Sequence, residues 1–179
     1  MVRAAKLNAA NMARSMLPLV LICLALVGWA ALRQNPDDPV IEVDPTSSVQ
    51  SSAQRAGYEL LVPTGLPDGY RPTSARTTAA SAEEGDPVTL EIGYLTPQLA
   101  FAGFVISDDR GAEPVRRVLD DAEEQGTESI GGRTWTRETT ARGETAYVLE
   151  TGDATVLVSG SASEAELTEV AASLRPYRG

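Results

Sequence analysis

Val88-Thr-Leu-Glu-Ile-Gly-Tyr94 places an apolar side chain at every second position, with Thr89, Glu91 and Gly93 between them. Period two with one polar face is the pattern of a strand lying over a core. Thr96-Pro97 ends that run, and Leu99 to Ser107 follows, apolar on both faces and therefore central in its sheet. Upstream, Tyr58 to Val62 reads as a short strand, Pro63 to Tyr70 as a turn segment and Arg71 to Thr78 as a strand. Ser81 to Pro87 is an acidic loop.

Downstream the period changes. From Glu113 to Gln125, Val115, Val118, Leu119 and Ala122 recur at helical spacing, with Pro114 at the first position and Gly126 as the stop. Arg116–Asp120 and Arg117–Asp121 are spaced as i,i+4 pairs on its wet side. Strands follow at Thr127–Ile130, Arg133–Glu138, Thr145–Thr151 and Ala154–Ser159. Gly131-Gly132 and Gly152-Asp153 supply two-residue hairpin turns. Ser163-x-x-Glu166 is a capping box opening a second helix, with Leu167, Val170, Ala171 and Leu174 as its stripe and Pro176 as its end.

The N-terminus carries a different signal. Ser15 to Leu32 holds eighteen residues without a charge, nine of them Leu, Ile or Val. Such a helix spans about 27 Å, close to the hydrocarbon thickness of a bilayer. Arg3, Lys6 and Arg14 precede it, and Arg33 is followed by acids, so the N-terminus stays in the cytoplasm and the remainder is exported. A cleaved signal peptide, cut after Gly28-Trp29-Ala30, is the competing reading.

The expected fold is α+β: an N-terminal transmembrane helix, then an antiparallel sheet with two helices packed on one face, the halves forming a β-β-β-α pseudo-repeat. The expected order is a cytoplasmic tail at 1–14, a transmembrane helix at 15–32, a flexible stalk at 33–56 and an extracytoplasmic domain at 57–179.

Composition narrows the chemistry. The chain has no His, its one Cys is Cys23 and its one Lys is Lys6, both before the exported part. Disulfides, thiol nucleophiles, Ser-His-Asp triads, Ser-Lys dyads and His-liganded metals are thereby excluded from residues 34–179. All 25 acids lie after residue 33, against 11 Arg. That balance argues against nucleic acid and anionic lipid as partners, since both reward a basic face.

Leu66-Pro-Asp-Gly-Tyr-Arg-Pro-Thr-Ser-Ala-Arg76, Ile92-Gly-Tyr-Leu-Thr-Pro97, Gly132-Arg-Thr-Trp135 and Val156 to Leu174 together resemble an actinobacterial family of single-pass membrane proteins. The resemblance implies an extracytoplasmic domain of unknown function and carries over no catalytic residue. Trp is common in that family where Tyr70 stands, which implies that the ring matters more than its hydroxyl. Gly160 to Leu174 also resembles the ends of bacterial extracytoplasmic regulatory domains tied to sigma-factor control.

Tyr70 and Trp135 are the candidate binding aromatics, with Arg133 and Arg137 on the indole's face of their strand. A core indole with Arg stems at its edges is the structural alternative. Asp108, Asp109 and Glu113, three acids between a strand and a helix, have the oxygen ligands that Ca²⁺ takes, although their spacing fits no EF-hand, helix N-terminal stabilisation explains them and no metal is expected. Glu83, Glu84 and Asp86, and Asp120, Asp121, Glu123 and Glu124, read as solvated surface.

These residues point to a non-catalytic, membrane-tethered extracytoplasmic domain that binds an envelope protein partner or supports an envelope complex, without a cofactor. A ligand-sensing module acting through a partner comes second and a carboxylate-based hydrolase third. A reporter that works only outside the cytoplasm, fused after Gly179, is expected to be active, and the protein to stay with membranes through a carbonate wash. A soluble form starting near Ala31 would identify a cleaved signal peptide instead.

Overall fold

Alternation in 88–94 does build a sheet, and its neighbours close over it on both sides. The computed structural model describes residues 40–179, together with helical Met16, Leu17, Val20 and Ile22–Leu24. The segment expected to cross the membrane otherwise lies outside the described residues. No helix among the described residues is long and apolar enough to cross one. The compact unit that carries the sheet runs from Ile41 to Gly179.

Its elements are α1 (Thr46–Arg55), β1 (Leu61–Pro63), β2 (Arg71–Thr77), β3 (Thr89–Leu95), β4 (Phe101–Ser107), α2 (Glu113–Leu119), β5 (Glu123–Ile130), β6 (Arg133–Thr139), β7 (Thr145–Glu150), β8 (Thr155–Gly160), α3 (Glu164–Ala172) and β9 (Leu174–Pro176). Seven strands form one antiparallel sheet in the order β2-β3-β4-β8-β7-β6-β5, and β1 pairs with β9 in a separate ribbon. The architecture is α+β.

Strand parity sorts the core into two layers. Leu90, Ile92, Tyr94, Phe104, Ile106, Trp135, Tyr147, Leu149, Val156 and Val158 face one way, toward Val49 of α1 and Leu167, Val170 and Ala171 of α3. Val105, Val148 and Leu157 face the other, toward Val115 of α2. β4 and β8 are therefore apolar on both faces, as the reading of Leu99 to Ser107 requires.

The two predicted helices thus lie on opposite faces, not on one. α2 follows the three-strand meander β2-β3-β4 and α3 the four-strand meander β5-β6-β7-β8, and the meanders meet at the antiparallel β4–β8 pair. A two-fold repeat about that pair would put both helices on one side of the sheet, so the β-β-β-α repeat fails in strand number, through the extra β5, and in the placement of the helices.

Three other expectations are corrected. The helix predicted over 113–125 ends at Leu119, because the chain reverses through Asp121 at φ +60° and then pairs with β6. Pairing to the sheet satisfies more backbone groups there than another helical turn would. Arg116 keeps its Asp120 partner at 3.4 Å, whereas Arg117 pairs with Glu113 at 3.0 Å and Glu91 at 3.5 Å in place of Asp121. Leu174 and Pro176 belong to β9, with Ala172 ending α3.

The predicted stalk holds the third correction. Its Thr46–Arg55 stretch is α1, which buries Val49 and Ser52. Ser52 Oγ shares a hydrogen bond of 2.7 Å with Thr77 Oγ1 of β2, and Arg55 donates to the Ala82 carbonyl at 2.8 Å. A helix with one apolar contact side chain is held by docking more than by propensity, so its composition reads as linker.

The turns behave as read. Gly131 and Gly132, at φ +59° and +77°, make the tight β5–β6 hairpin that residues with a Cβ resist. The capping box is intact: Ser163 Oγ accepts from the Glu166 N–H, and Glu166 Oε2 accepts from the Ser163 N–H at 3.1 Å.

Leu174 is fully buried, so Leu174→Ala is expected to cost about 2–5 kcal/mol in urea denaturation. Ser163→Ala is expected to cost about 0.5–2 kcal/mol. A chain beginning at Gly57 should melt below one beginning at Ile41, because it lacks the contacts of α1.

Candidate functional site

Tyr70 and Arg137 reach side chains or backbone of α3, whereas Arg133 reaches Leu174 of β9 and Trp135 lies within the core. Trp135 is fully buried, and its indole N–H donates to the Ile130 carbonyl at 3.3 Å. It offers no surface to a partner. Arg133 donates to the Leu174 carbonyl at 3.2 Å, and Arg137 pairs with Glu164 at 3.3 Å.

Tyr70 is half-buried. Its hydroxyl donates to Glu169 Oε2 at 2.7 Å and approaches the Glu166 carbonyl at 3.1 Å, fastening the 63–70 turn to α3. Burial first, and then the Glu169 carboxylate, push the phenol up, so it stays protonated.

Asp108 and Asp109 serve local backbone. Asp108 Oδ1 accepts from the Val88 N–H at 2.8 Å, and Asp109 Oδ1 accepts from the Gly111 N–H at 2.7 Å. Among the described residues no three His, Cys, Asp or Glu side chains are grouped as a metal site. Glu124, read from the sequence as solvated surface, does meet another carboxylate. Glu124 and Glu138 stand opposite in the β5–β6 ladder, on the sheet face that α2 covers. Burial first, and then Glu124, raise the Glu138 carboxyl; Arg110, which is paired with Glu150, opposes the rise. A raised carboxyl holds a proton to higher pH than an ordinary one.

Two surface features were missed by sequence reasoning. The first is the β3–β4 turn, where Leu99 is 70% exposed at φ +60° and Phe101 is 46% exposed. A leucine in the left-handed region costs roughly 1–2 kcal/mol. The turn is locked. Thr96 and Ala100 close it, the Leu99 N–H donates to the Thr96 carbonyl at 2.9 Å, and Glu166 Oε1 accepts from the Gln98 N–H at 3.3 Å. The Phe101 N–H donates to Ser161 Oγ at 3.2 Å, and its carbonyl accepts from Ala162 at 3.0 Å. Its ring lies over Gly93 and Gly103, where an added Cβ would come within 2.8 Å and 3.1 Å of it. The visible signal was a lone Leu between Thr96-Pro97 and the next strand.

The second feature is a cavity of about 390 Å³ between α1, the β1–β9 ribbon and β3. Reading α1 as stalk hid it, since one wall is that helix.

Glu166 is buried, and the Thr96 hydroxyl, then Ser163 and the Gln98 N–H, hold its carboxyl below the usual range despite burial. A lowered pKa stabilises the fold fully above about pH 4.3 and loses that contribution as pH falls through the folded value. Urea midpoints of Glu166→Gln are therefore expected to vary less with acid pH than those of the parent. Glu138→Gln has the opposite sign: it should raise the midpoint at neutral pH, where the ionised Glu138 is penalised, and gain nothing in acid. Tyr70→Phe should lose about 1 kcal/mol, and Trp135→Ala roughly 3–5 kcal/mol.

No curated protein matches the chain. A family described as a protein of unknown function, DUF4245, matches residues 5–174, spanning the N-terminal segment and the sheet domain together. The chain belongs to the DUF4245 family.

Proposed function

We propose that this protein is a non-catalytic, membrane-tethered extracytoplasmic domain that binds an envelope protein partner, and that it does so through the β3–β4 turn. The uncharged run at 15–32 and its basic flank support the tether. So does the exposure of Met16, Leu17, Val20, Ile22 and Leu24, apolar side chains left uncovered on helical backbone. The single family match over residues 5–174 is consistent with one unit of anchor and domain.

Leu99 carries the contact. An exposed leucine in a costly backbone conformation, held by the buried Glu166 carboxylate, is strain kept in place by its surroundings, which is a mark of functional positions. Phe101 beside it extends the apolar surface. Large apolar and aromatic side chains on a rigid support are the usual anchors of protein contacts. Tyr70 and Arg137 hold α3, the helix whose Glu166 accepts from the turn. Ligand sensing through a partner is the second reading, and the cavity beside α1 favours it.

Leu99→Gly separates stability from contact. Glycine takes φ +60° without the Cβ clash, so stability is expected to hold or to rise by up to about 1 kcal/mol. Partner recovery by crosslinking from native membranes is expected to fall for Leu99→Gly and further for Phe101→Ser. Unchanged recovery with both variants would remove this turn as the contact surface.

A further inference from the structure

The cavity between α1 and the β1–β9 ribbon has a composition unlike the rest of the domain. Val49, Val62, Ile92 and Tyr94 line it, and Pro45, Pro63 and Pro176 add walls without a backbone N–H. Its two threonine hydroxyls are already engaged: Thr46 Oγ1 with Asp44 at 2.6 Å, and Thr64 Oγ1 with the Val62 carbonyl at 3.3 Å. The aliphatic and proline walls favour hydrocarbon, and the remaining polar lining is Tyr94, Tyr177 and two arginines. At about 390 Å³ the cavity falls in the usual range for small-molecule sites.

Charge is the second observation. Arg175 and Arg178 line the cavity, and no acid does, in a chain with 25 acids against 15 basic residues. Arg175 spends donors on the Ala172 and Leu174 carbonyls, at 2.8 Å and 2.9 Å, which fixes its guanidinium. An apolar chamber bounded by two arginines is complementary to a hydrocarbon tail that ends in an anion.

We propose that this cavity binds a single-chain anionic amphiphile, an acyl chain with a terminal carboxylate, the tail against Val49, Val62 and Ile92 and the head group at Arg175 and Arg178. The site is separate from the Leu99 surface and stands or falls independently of it.

The probe is a diazirine-bearing decanoate, photolysed with the full chain in zwitterionic phosphatidylcholine nanodiscs and mapped by mass spectrometry. Labels are expected on peptides that carry Val49, Val62 or Tyr177. Unmodified decanoate should compete, and decylammonium should not. Arg178→Glu, at an exposed position, is expected to cut labelling about tenfold, as losing one charge-assisted contact does. Val62→Trp, which fills the cavity, should abolish labelling with its melt retained. If that variant unfolds, Arg178→Glu decides. Equal competition by decylammonium, labelling confined to residues 1–40, or labelling indifferent to Arg178→Glu would overturn the proposal.

Discussion

The antiparallel pairing of β4 with β8 is the constraint on which the rest of the structure depends. Both strands are buried on both faces, with Phe104, Ile106, Val156 and Val158 in one core layer and Val105 and Leu157 in the other. Each strand ends a meander, so this one pair joins the two halves of the sheet. A slip of one residue would exchange the two layers and place the larger set of side chains under the shorter helix. Two faces that both need cover also explain why α2 and α3 part company. α3 and α1 cover the larger layer, and seven-residue α2 suffices for the smaller one.

From that pair the start of α3 organises the surface. Glu166 closes the capping box with Ser163 and reaches across to the Gln98 N–H, so one carboxylate serves both a helix end and a hairpin turn. The Tyr70 hydroxyl ties the 63–70 turn to the same helix, and Arg137 ties β6 to Glu164. Two residues that looked in sequence like part of a binding set, Tyr70 and Arg137, fasten that helix, while Arg133 bonds the Leu174 carbonyl of β9 and Trp135 is core. Glu166 also holds the β3–β4 turn, where Leu99 is exposed and keeps an unfavourable backbone angle.

Local signals survived folding where their partners were near in sequence. The Gly131-Gly132 and Gly152-Asp153 turns, the Ser163–Glu166 box and the alternation of Val88 to Tyr94 each depend on backbone within a few residues, and each took the expected form. The helix over 113–125 was overextended because its stripe of Val115, Val118, Leu119 and Ala122 says nothing of β6 waiting to pair with Glu123 onward. Arg117 likewise had a partner, Glu91, that no i,i+4 rule reveals.

By itself the sequence determined the α+β class, the hairpin positions, the capped last helix and the absence of His, Lys and Cys chemistry from residues 34–179. These follow from periodicity, turn chemistry and composition, which are properties of short stretches. Tertiary structure alone decided that Thr46–Arg55 is a docked helix, that α2 and α3 take opposite faces, that Trp135 is core, that Leu99 is exposed and that a cavity lies beside α1. Each of these depends on which long-range neighbour desolvates a side chain or accepts its hydrogen bond. Thr77 does so for Ser52, Ile130 for Trp135 and Glu166 for the Leu99 turn, from positions that no local pattern encodes.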